Sequence, residues 1–107
     1  MVEYIFSLDS IFGCLADPTR RDILERVAED ELTISEIAMP YDLSLAAVSK
    51  HIKLLEKAQL IIKRKRGKQR VVQAEPQALA SAAEYIESYR QMWQGRHDRL
   101  EEILKEE

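Results

Sequence analysis

The spacing of apolar residues changes between residues 61 and 74, and this change limits the possible folds of the chain more than any other feature. Before this stretch, apolar residues recur every three or four positions, which is typical of amphipathic helices. Residues 61–66 and 69–74 instead form two short runs joined by Gly67-Lys68, a pattern that predicts a β-hairpin. A helical pattern returns at Pro76 and continues to about Leu104, either as one long helix or as a helix with a weak point at Gly95. The sequence therefore predicts a mainly α-helical fold with one small β-hairpin.

Capping residues mark where the helices before the hairpin begin. Asp17-Pro18 supplies a cap followed by proline at the first helical position, and Thr33-Ile34-Ser35-Glu36 is a capping-box sequence. Ser44 is expected to cap the helix that precedes the hairpin. The predicted helices cover residues 2–16, about 18–29, 34 to about 39, and about 45–58. The chain has only three glycines and three prolines, too few for a low-complexity linker between domains. We therefore predict one winged helix-turn-helix domain over residues 1–107.

Basic residues are concentrated between positions 50 and 70. This segment of 21 residues carries nine lysines and arginines and a single acid, Glu56, whereas the chain as a whole has a net charge of −3. A solvated, solubility-promoting segment is one explanation of such a cluster. A surface that binds phosphates is the other, and the position of the cluster on a predicted helix and hairpin favours it.

Several classes of protein are not expected. The chain has one cysteine, Cys14, which allows no internal disulfide and fits a reducing compartment. No apolar run approaches the ~18 residues of a membrane span, and the first residues lack the basic start of a signal peptide. We therefore expect a cytoplasmic protein. We expect no enzyme and no cofactor, because neither a nucleophile beside a base nor a glycine-rich phosphate loop is present.

Three segments are similar to those of the ArsR/SmtB family of transcriptional repressors. They are Leu15-Ala16-Asp17-Pro18-Thr19-Arg20-Arg21-Asp22-Ile23-Leu24, Leu32-Thr33-Ile34-Ser35-Glu36-Ile37-Ala38 and Ala47-Val48-Ser49-Lys50-His51-Ile52-Lys53-Leu54-Leu55-Glu56-Lys57-Ala58-Gln59-Leu60. The resemblance extends over roughly residues 8–104. It implies a homodimeric repressor that presents two recognition helices to an inverted-repeat operator in double-stranded DNA, with the hairpin as a wing at the adjacent backbone or minor groove.

The candidate DNA contacts lie on the predicted recognition helix, about 44–58, and on the basic wing, about 61–74. On the helix they are Ser44, Ala46, Ala47, Ser49, Lys50, His51 and Lys53; on the wing they are Arg64, Arg66, Lys68 and Arg70. The alanines and Ser49 suit base edges, and the lysines suit phosphates. Ser44 either only caps the helix or also binds phosphate, and His51 either binds DNA or packs inside the protein. Alternation along a strand prevents all of residues 63–66 from touching DNA together.

The first and last helices are the predicted dimer interface, as the resemblance implies. Their candidate residues are Tyr4, Ile5, Phe12, Tyr89, Met92 and Trp93. One small domain cannot easily cover all of these side chains, and exposed apolar patches of this kind usually mark an interface. The alternative is that they form a core within one chain.

No metal site is expected. The cysteine-bearing metal site of the family lies in a Leu-Cys-Val-Cys pattern, and this chain has Leu32-Thr33-Ile34-Ser35 there, without the thiolates that soft metals need. The last helix offers only His97 and Asp98 for the family's other site. Cys14 is interpreted as a small apolar core residue, with a redox switch as the alternative. No effector is identified. A winged-helix adaptor that binds only proteins remains the alternative function.

Overall fold

Five helices and three strands make up the computed structural model, which describes residues 6–105. In chain order they are α1 (Leu8–Leu15), α2 (Pro18–Glu29), β1 (Leu32–Thr33), α3 (Ile34–Ala38), α4 (Leu45–Lys57), β2 (Ile61–Arg66), β3 (Gln69–Ala74) and α5 (Pro76–Lys105). The three strands form an antiparallel sheet in the order β1-β3-β2. Helices α3 and α4 are the helix-turn-helix, and β2 and β3 are the wing. The predicted fold class is confirmed.

Capping side chains set the starts of the helices. Asp17 caps α2 by accepting hydrogen bonds from the backbone N–H groups of Thr19 and Arg20, with Pro18 at the first position as predicted. The predicted first helix over 2–16 is wrong at residues 6 and 7. The Ser7 hydroxyl accepts from the Ser10 N–H, and its extended backbone makes α1 begin at Leu8. Apolar spacing alone did not reveal this cap.

Strand β1 was not predicted. Leu32 pairs with Val72 and Thr33 with Val71, so this two-residue strand adds an edge to the predicted hairpin. Two residues are too few to show the alternation of a strand. Thr33 also begins α3, because its hydroxyl accepts from the Glu36 N–H while the Glu36 carboxylate accepts from the Thr33 N–H. The predicted capping box is confirmed, and Thr33 joins the sheet to the helix-turn-helix.

The core lies between the helices and the sheet. Its largest fully buried side chains come from four helices and the strands: Ile11, Ile23, Ile37, Val48, Ile52, Leu55, Leu60, Ile61, Val71 and Val72. Three of these, Val48, Ile52 and Leu55, lie on one side of α4, so the opposite side of that helix faces solvent.

A left-handed residue joins α4 to the wing. Gln59 has φ 63°; its N–H donates to the Glu56 carbonyl (2.9 Å), and the Leu60 N–H donates to the Leu55 carbonyl (3.0 Å). This pair of bonds is a Schellman motif. Leu60 is fully buried, and its carbonyl accepts from the Glu75 N–H at the end of β3 (2.9 Å). The direction of β2 relative to α4 is therefore fixed by backbone hydrogen bonds to the end of α4 and by one backbone hydrogen bond from Glu75.

Helix α5 extends beyond the rest of the domain. It has 30 residues, about 45 Å at 1.5 Å per residue, and only Ala78 and Ala82 near its start are buried. The molecule measures 70 × 30 × 23 Å. Gly95 does not interrupt the helix, so of the two sequence-based possibilities the uninterrupted helix is correct.

Replacing Thr33 with alanine is expected to lower the free energy of unfolding by about 1 kcal/mol, because the N–H of Glu36 loses its capping acceptor. Urea unfolding followed by circular dichroism measures this effect. Ser35→Ala, at an exposed position on the same helix, is the control and should stay within about 0.5 kcal/mol of the parent. An equal loss in both variants would contradict a capping role for Thr33.

Candidate nucleic-acid interface

The solvent side of α4 carries a line of lysines. Successive helical residues are about 100° apart, so Ala46, Lys50, Lys53 and Lys57 share the side opposite Val48 and Ile52, and all four are exposed. Lys57 is not among the predicted contacts. Its position four residues after Lys53 places it on the same side of the helix, and this spacing could have identified it. The predicted candidates Lys50 and Lys53 therefore lie where a nucleic-acid backbone could reach them.

Ser44 caps α4 as predicted. Its hydroxyl accepts from the Ala47 N–H (3.1 Å), and its own backbone is extended. The first backbone N–H groups of a helix have no acceptor within it, and the positive end of the helix dipole lies there. The N-terminus of α4 thus presents donors suited to an anion beside the exposed Ala46. The second predicted role of Ser44, a phosphate contact, stays a prediction.

The two flanks of α4 differ. Ala47 and His51 are half-buried on the flank that faces α1 and α2, whereas Ser49 is half-buried on the flank that leads to Glu56. The Nδ1 atom of His51 lies 3.3 Å from Nη1 of Arg20. Arginine can only donate, so this contact is a hydrogen bond when Nδ1 is the acceptor. The histidine thus has a contact within the protein through Nδ1, and Nε2 is the ring nitrogen that this contact does not use.

Arg20 joins α2 to the recognition helix. Besides the His51 contact, its guanidinium lies 3.7 Å from the Asp17 carboxylate and donates to the Gly13 carbonyl (3.4 Å). Burial acts to raise the pKa of Asp17, but hydrogen bonds from the backbone N–H groups of Arg20 and Thr19 and the charge of Arg20 outweigh it and hold that pKa below its usual value. The capping carboxylate is therefore charged at neutral pH.

Cys14 is buried beneath α4. Its thiol donates to the Leu54 carbonyl (3.4 Å), and burial raises its pKa. A thiol that is buried and protonated is a poor nucleophile. This environment favours the interpretation of Cys14 as a small core residue.

Arg26 fixes the helix-turn-helix. It donates to the carbonyls of Ile37 (2.8 Å) and Glu36 (3.0 Å) at the end of α3, and its guanidinium lies 5.5 Å from the centre of the Tyr41 ring. The Tyr41 hydroxyl donates to Asp22; burial and this bond raise the pKa of Tyr41. Sequence analysis missed Arg26, because an arginine in a predicted helix has no pattern that reveals a carbonyl partner ten residues away.

The wing has two basic faces. Pairing places Arg64 opposite Val71 and Arg66 opposite Gln69, whereas Lys63 lies opposite Val72 and Lys65 opposite Arg70. Paired residues project to the same side of a sheet, and neighbours along a strand project to opposite sides. Arg64 and Arg66 thus form one face, the arginine face, and Lys63, Lys65 and Arg70 form the other, the lysine face. Lys68 lies at the turn beside Gly67, whose φ is 66°.

The four predicted wing contacts therefore do not share one face: Arg64 and Arg66 are on the arginine face and Arg70 on the lysine face. Lys65 was not predicted to bind DNA, yet it is exposed and lies directly opposite Arg70.

The predicted dimer residues fall into three groups. Tyr4 and Ile5 lie outside the described residues. Phe12 is half-buried and packs on Tyr85 of α5 in the same chain, with ring centres 6.4 Å apart, so the alternative of packing within one chain accounts for part of its surface. Tyr89, Met92 and Trp93 are 49%, 52% and 61% exposed. These three residues of α5 remain available to a partner.

Six apolar residues of α5 follow a heptad repeat. Positions 82, 86, 89, 93, 96, 100 and 103 alternate spacings of four and three and are apolar except for Arg96: Ala82, Ile86, Tyr89, Trp93, Leu100 and Ile103. A repeat of 3.5 residues is typical of helices that pair along their length. Most of this seam is solvent-exposed in the single chain.

Within residues 6–105, no group of three or more histidine, cysteine, aspartate or glutamate side chains is arranged to hold a metal ion. His97 is exposed on α5, and the neighbouring Asp98 accepts from the Gln94 amide. Over the same range no helix is both long and apolar enough to cross a lipid bilayer.

The known proteins that this chain resembles are transcriptional regulators. A model of a helix-turn-helix domain family matches residues 15–64. The chain is 43% identical over 75 residues to the HTH-type transcriptional regulator Rv2034 of Mycobacterium tuberculosis, an alignment that covers 70% of each protein. It is 29% identical over 96 residues to the arsenical resistance operon repressor of Escherichia coli K12, covering 89% of this chain and 80% of that repressor.

Solved structures share the fold. The crystal structure of the ArsR family transcriptional regulator RHA00566 is 34% identical, with a TM-score of 0.79 over 88% of this chain and 97% of the other. An ArsR-like regulator from Rhodococcus sp. RHA1 is 27% identical, with a TM-score of 0.82 over 90% and 91%. The homodimeric winged helix-turn-helix domain Mb0332 from Mycobacterium bovis is 21% identical, with a TM-score of 0.61 over 79% and 81%, and shares the fold.

Proposed function

The chain belongs to the ArsR family of winged helix-turn-helix transcriptional regulators, and we propose that it represses transcription as a homodimer bound to an inverted-repeat operator. The single observation that carries the DNA-binding part is the line of exposed lysines on α4, opposite the buried side of the same helix. A helix of this kind fits the major groove of B-DNA, and a basic hairpin beside it reaches the adjacent backbone.

Each candidate residue has a proposed role. Ala46, Ala47 and Ser49, near the start of α4, contact base edges, and Ser44 with the free N–H groups beside it binds a phosphate. Lys50 and Lys53 bind phosphates. His51 donates to DNA through Nε2, since Arg20 lies at Nδ1. In the wing, the candidates for further phosphate contacts are Lys68 at the turn and Arg64, Arg66 and Arg70 on the strands.

Dimerisation is proposed through the heptad seam of α5, with Tyr89 and Trp93 at its centre and Met92 beside it. Covering this apolar surface with the same surface of a second copy would remove it from water. The homodimeric state of Mb0332, which has the same fold, supports this assembly. Repression is supported by the arsenical resistance operon repressor of Escherichia coli, a relative over most of the chain. Two copies related by a two-fold axis would recognise an inverted repeat.

The direct test is titration of the purified protein against the DNA upstream of its own gene, beside a random duplex of equal length. Fluorescence anisotropy at several salt concentrations measures both affinities. We expect a preference of about 10³-fold or more for the upstream DNA and a steep fall in affinity with salt. Footprinting would then locate the two half-sites. Failure to bind either duplex at low salt would reject DNA binding and favour the protein-protein adaptor.

Lys53→Ala is expected to weaken binding to the upstream DNA and to the random duplex by similar factors, because one phosphate contact per protomer, two per dimer, is lost from both complexes. The slope of log K against log salt should become shallower by about 1.8. Lys105→Ala removes the same charge from the far end of α5 and is the control. A slope for Lys53→Ala that equals the control's would mean that this side of α4 does not face DNA.

A further inference from the structure

The arginine face of the wing is bordered by carboxylates. Glu31, just before β1, lies between its two arginines: Oε1 accepts from Nη2 of Arg64 at 2.6 Å, and Oε2 lies 3.6 Å from Nη1 of Arg66. Glu36 is the next acid along the chain. Hydrogen bonds from the Thr33 N–H and hydroxyl chiefly lower the pKa of Glu36, and the charge of Arg66 adds to them. Arg66 therefore interacts electrostatically with two carboxylates, those of Glu31 and Glu36.

The lysine face has a different environment. Lys65 and Arg70 lie opposite each other and are exposed, and neither is in an ion pair within residues 6–105. Lys63 lies on the same face, 3.5 Å from the Glu56 carboxylate of α4. Glu56 is one helical turn after Lys53. The lysine face therefore adjoins the recognition helix, and its charges continue the basic surface that begins on α4.

From this arrangement we infer that the wing contacts DNA with Lys65 and Arg70, while Glu31 holds Arg64 and Arg66 away from the phosphates. The inference rests on the proposed DNA-binding function and narrows the set of wing contacts within it. A phosphate that approached the arginine face would meet Glu31 and Glu36 and would have to displace a carboxylate from each arginine. On the lysine face the Glu56 carboxylate pairs with Lys63, and neither Lys65 nor Arg70 is in an ion pair within the described residues.

Two double variants that remove equal charge from the two faces provide the test. Lys65→Gln with Arg70→Gln removes four cations per dimer, and is expected to make the salt slope shallower by about 3.6 and to weaken operator binding at least about tenfold near 0.1 M salt. Arg64→Gln with Arg66→Gln, the matched control, should change the slope by less than about 0.5. Circular dichroism and urea unfolding verify that both variants keep the fold.

Glu31→Gln tests the role of the carboxylate. It keeps the size of the side chain and removes its charge, so both arginines become available to phosphates. We expect random duplex to bind about three- to tenfold more tightly and the salt slope to become steeper by about two, which corresponds to one added phosphate contact per protomer. Glu29→Gln, an exposed acid at the end of α2, controls for the change in net charge. In the Arg64→Gln/Arg66→Gln background, Glu31→Gln should have no more effect than that control.

The outcomes are distinct. If the parent protein binds no DNA, the proposed function fails before the wing is tested. If the parent binds specifically but the Arg64→Gln/Arg66→Gln pair flattens the slope as much as the Lys65→Gln/Arg70→Gln pair does, the inference about the lysine face is overturned. Weaker binding by Glu31→Gln would likewise overturn it, because Glu31 would then be positioning the arginines for DNA.

Discussion

Replacing Trp93 with glutamate will separate the proposed dimer into folded monomers and lower operator affinity by at least about 100-fold. Trp93 is 61% exposed in the single chain, so its removal costs little packing within the monomer. In a dimer that buries the α5 seam, two glutamates would be removed from water in a largely apolar interface, which strongly disfavours assembly. A monomer also loses the gain of about 10²–10⁴ that comes from linking two half-site contacts.

Analytical ultracentrifugation measures the dissociation, and anisotropy measures the affinity. Gln91→Glu adds the same charge two residues away, about 200° around the helix and away from the seam, and should remain dimeric apart from a small local cost at its contact with Glu87. A Trp93→Glu protein that still sediments as a dimer would show that α5 is not the interface. A monomeric variant with parental operator affinity would show that dimerisation does not serve DNA binding.

Ile52→Ala will lower the free energy of unfolding by about 2–5 kcal/mol, the largest stability effect expected of any single change proposed for this chain. Ile52 is fully buried on the inner side of α4. Its truncation removes apolar contacts and leaves a cavity beneath the recognition helix. Since small domains have a total stability of about 5–15 kcal/mol, the variant will lose a large share of it. Urea unfolding at one fixed protein concentration measures the change, because dimerisation makes stability depend on concentration.

Two comparisons make the Ile52 result specific. Ile52→Val removes one methylene group from the same position and should cost about 0.5–1.5 kcal/mol. Leu45→Ala, on the same helix but 55% exposed, should cost less than Ile52→Ala. If Ile52→Ala unfolded at the same urea concentration as the parent, the assignment of the inner side of α4 would be wrong.

Local patterns predicted the parts of the fold that local physics determines. Asp17-Pro18, the capping box at Thr33 and the cap at Ser44 each satisfy backbone donors within three residues, so a short stretch of sequence is enough to identify them. The hairpin was predicted equally well, since Gly67 supplies the positive φ that its turn needs. Helical periodicity predicted Lys50 and Lys53 on the outward side of α4, whereas Lys57 on the same side was missed.

Contacts between distant residues were not predictable in this way. Glu31 and Arg64 are 33 positions apart, and nothing near either residue indicates the other. The same holds for Arg20 with His51, at a separation of 31. Periodicity showed that neighbouring wing cations must diverge, but only the register with β3 and the place of Glu31 divide them into two faces with different surroundings. Exposed charges have many possible partners, whereas caps and turns have few.

The Schellman motif at Gln59 has a consequence for the DNA as well as for the protein. Backbone bonds lock the recognition helix to the wing, so the two elements cannot swing apart to follow a duplex whose groove is too wide or too narrow. In the proposed complex the duplex must supply the adjustment, and the energy needed to bend or twist it depends on base sequence. The protein would then prefer operators that are easily bent or twisted, and part of this preference would come from base pairs that no side chain contacts.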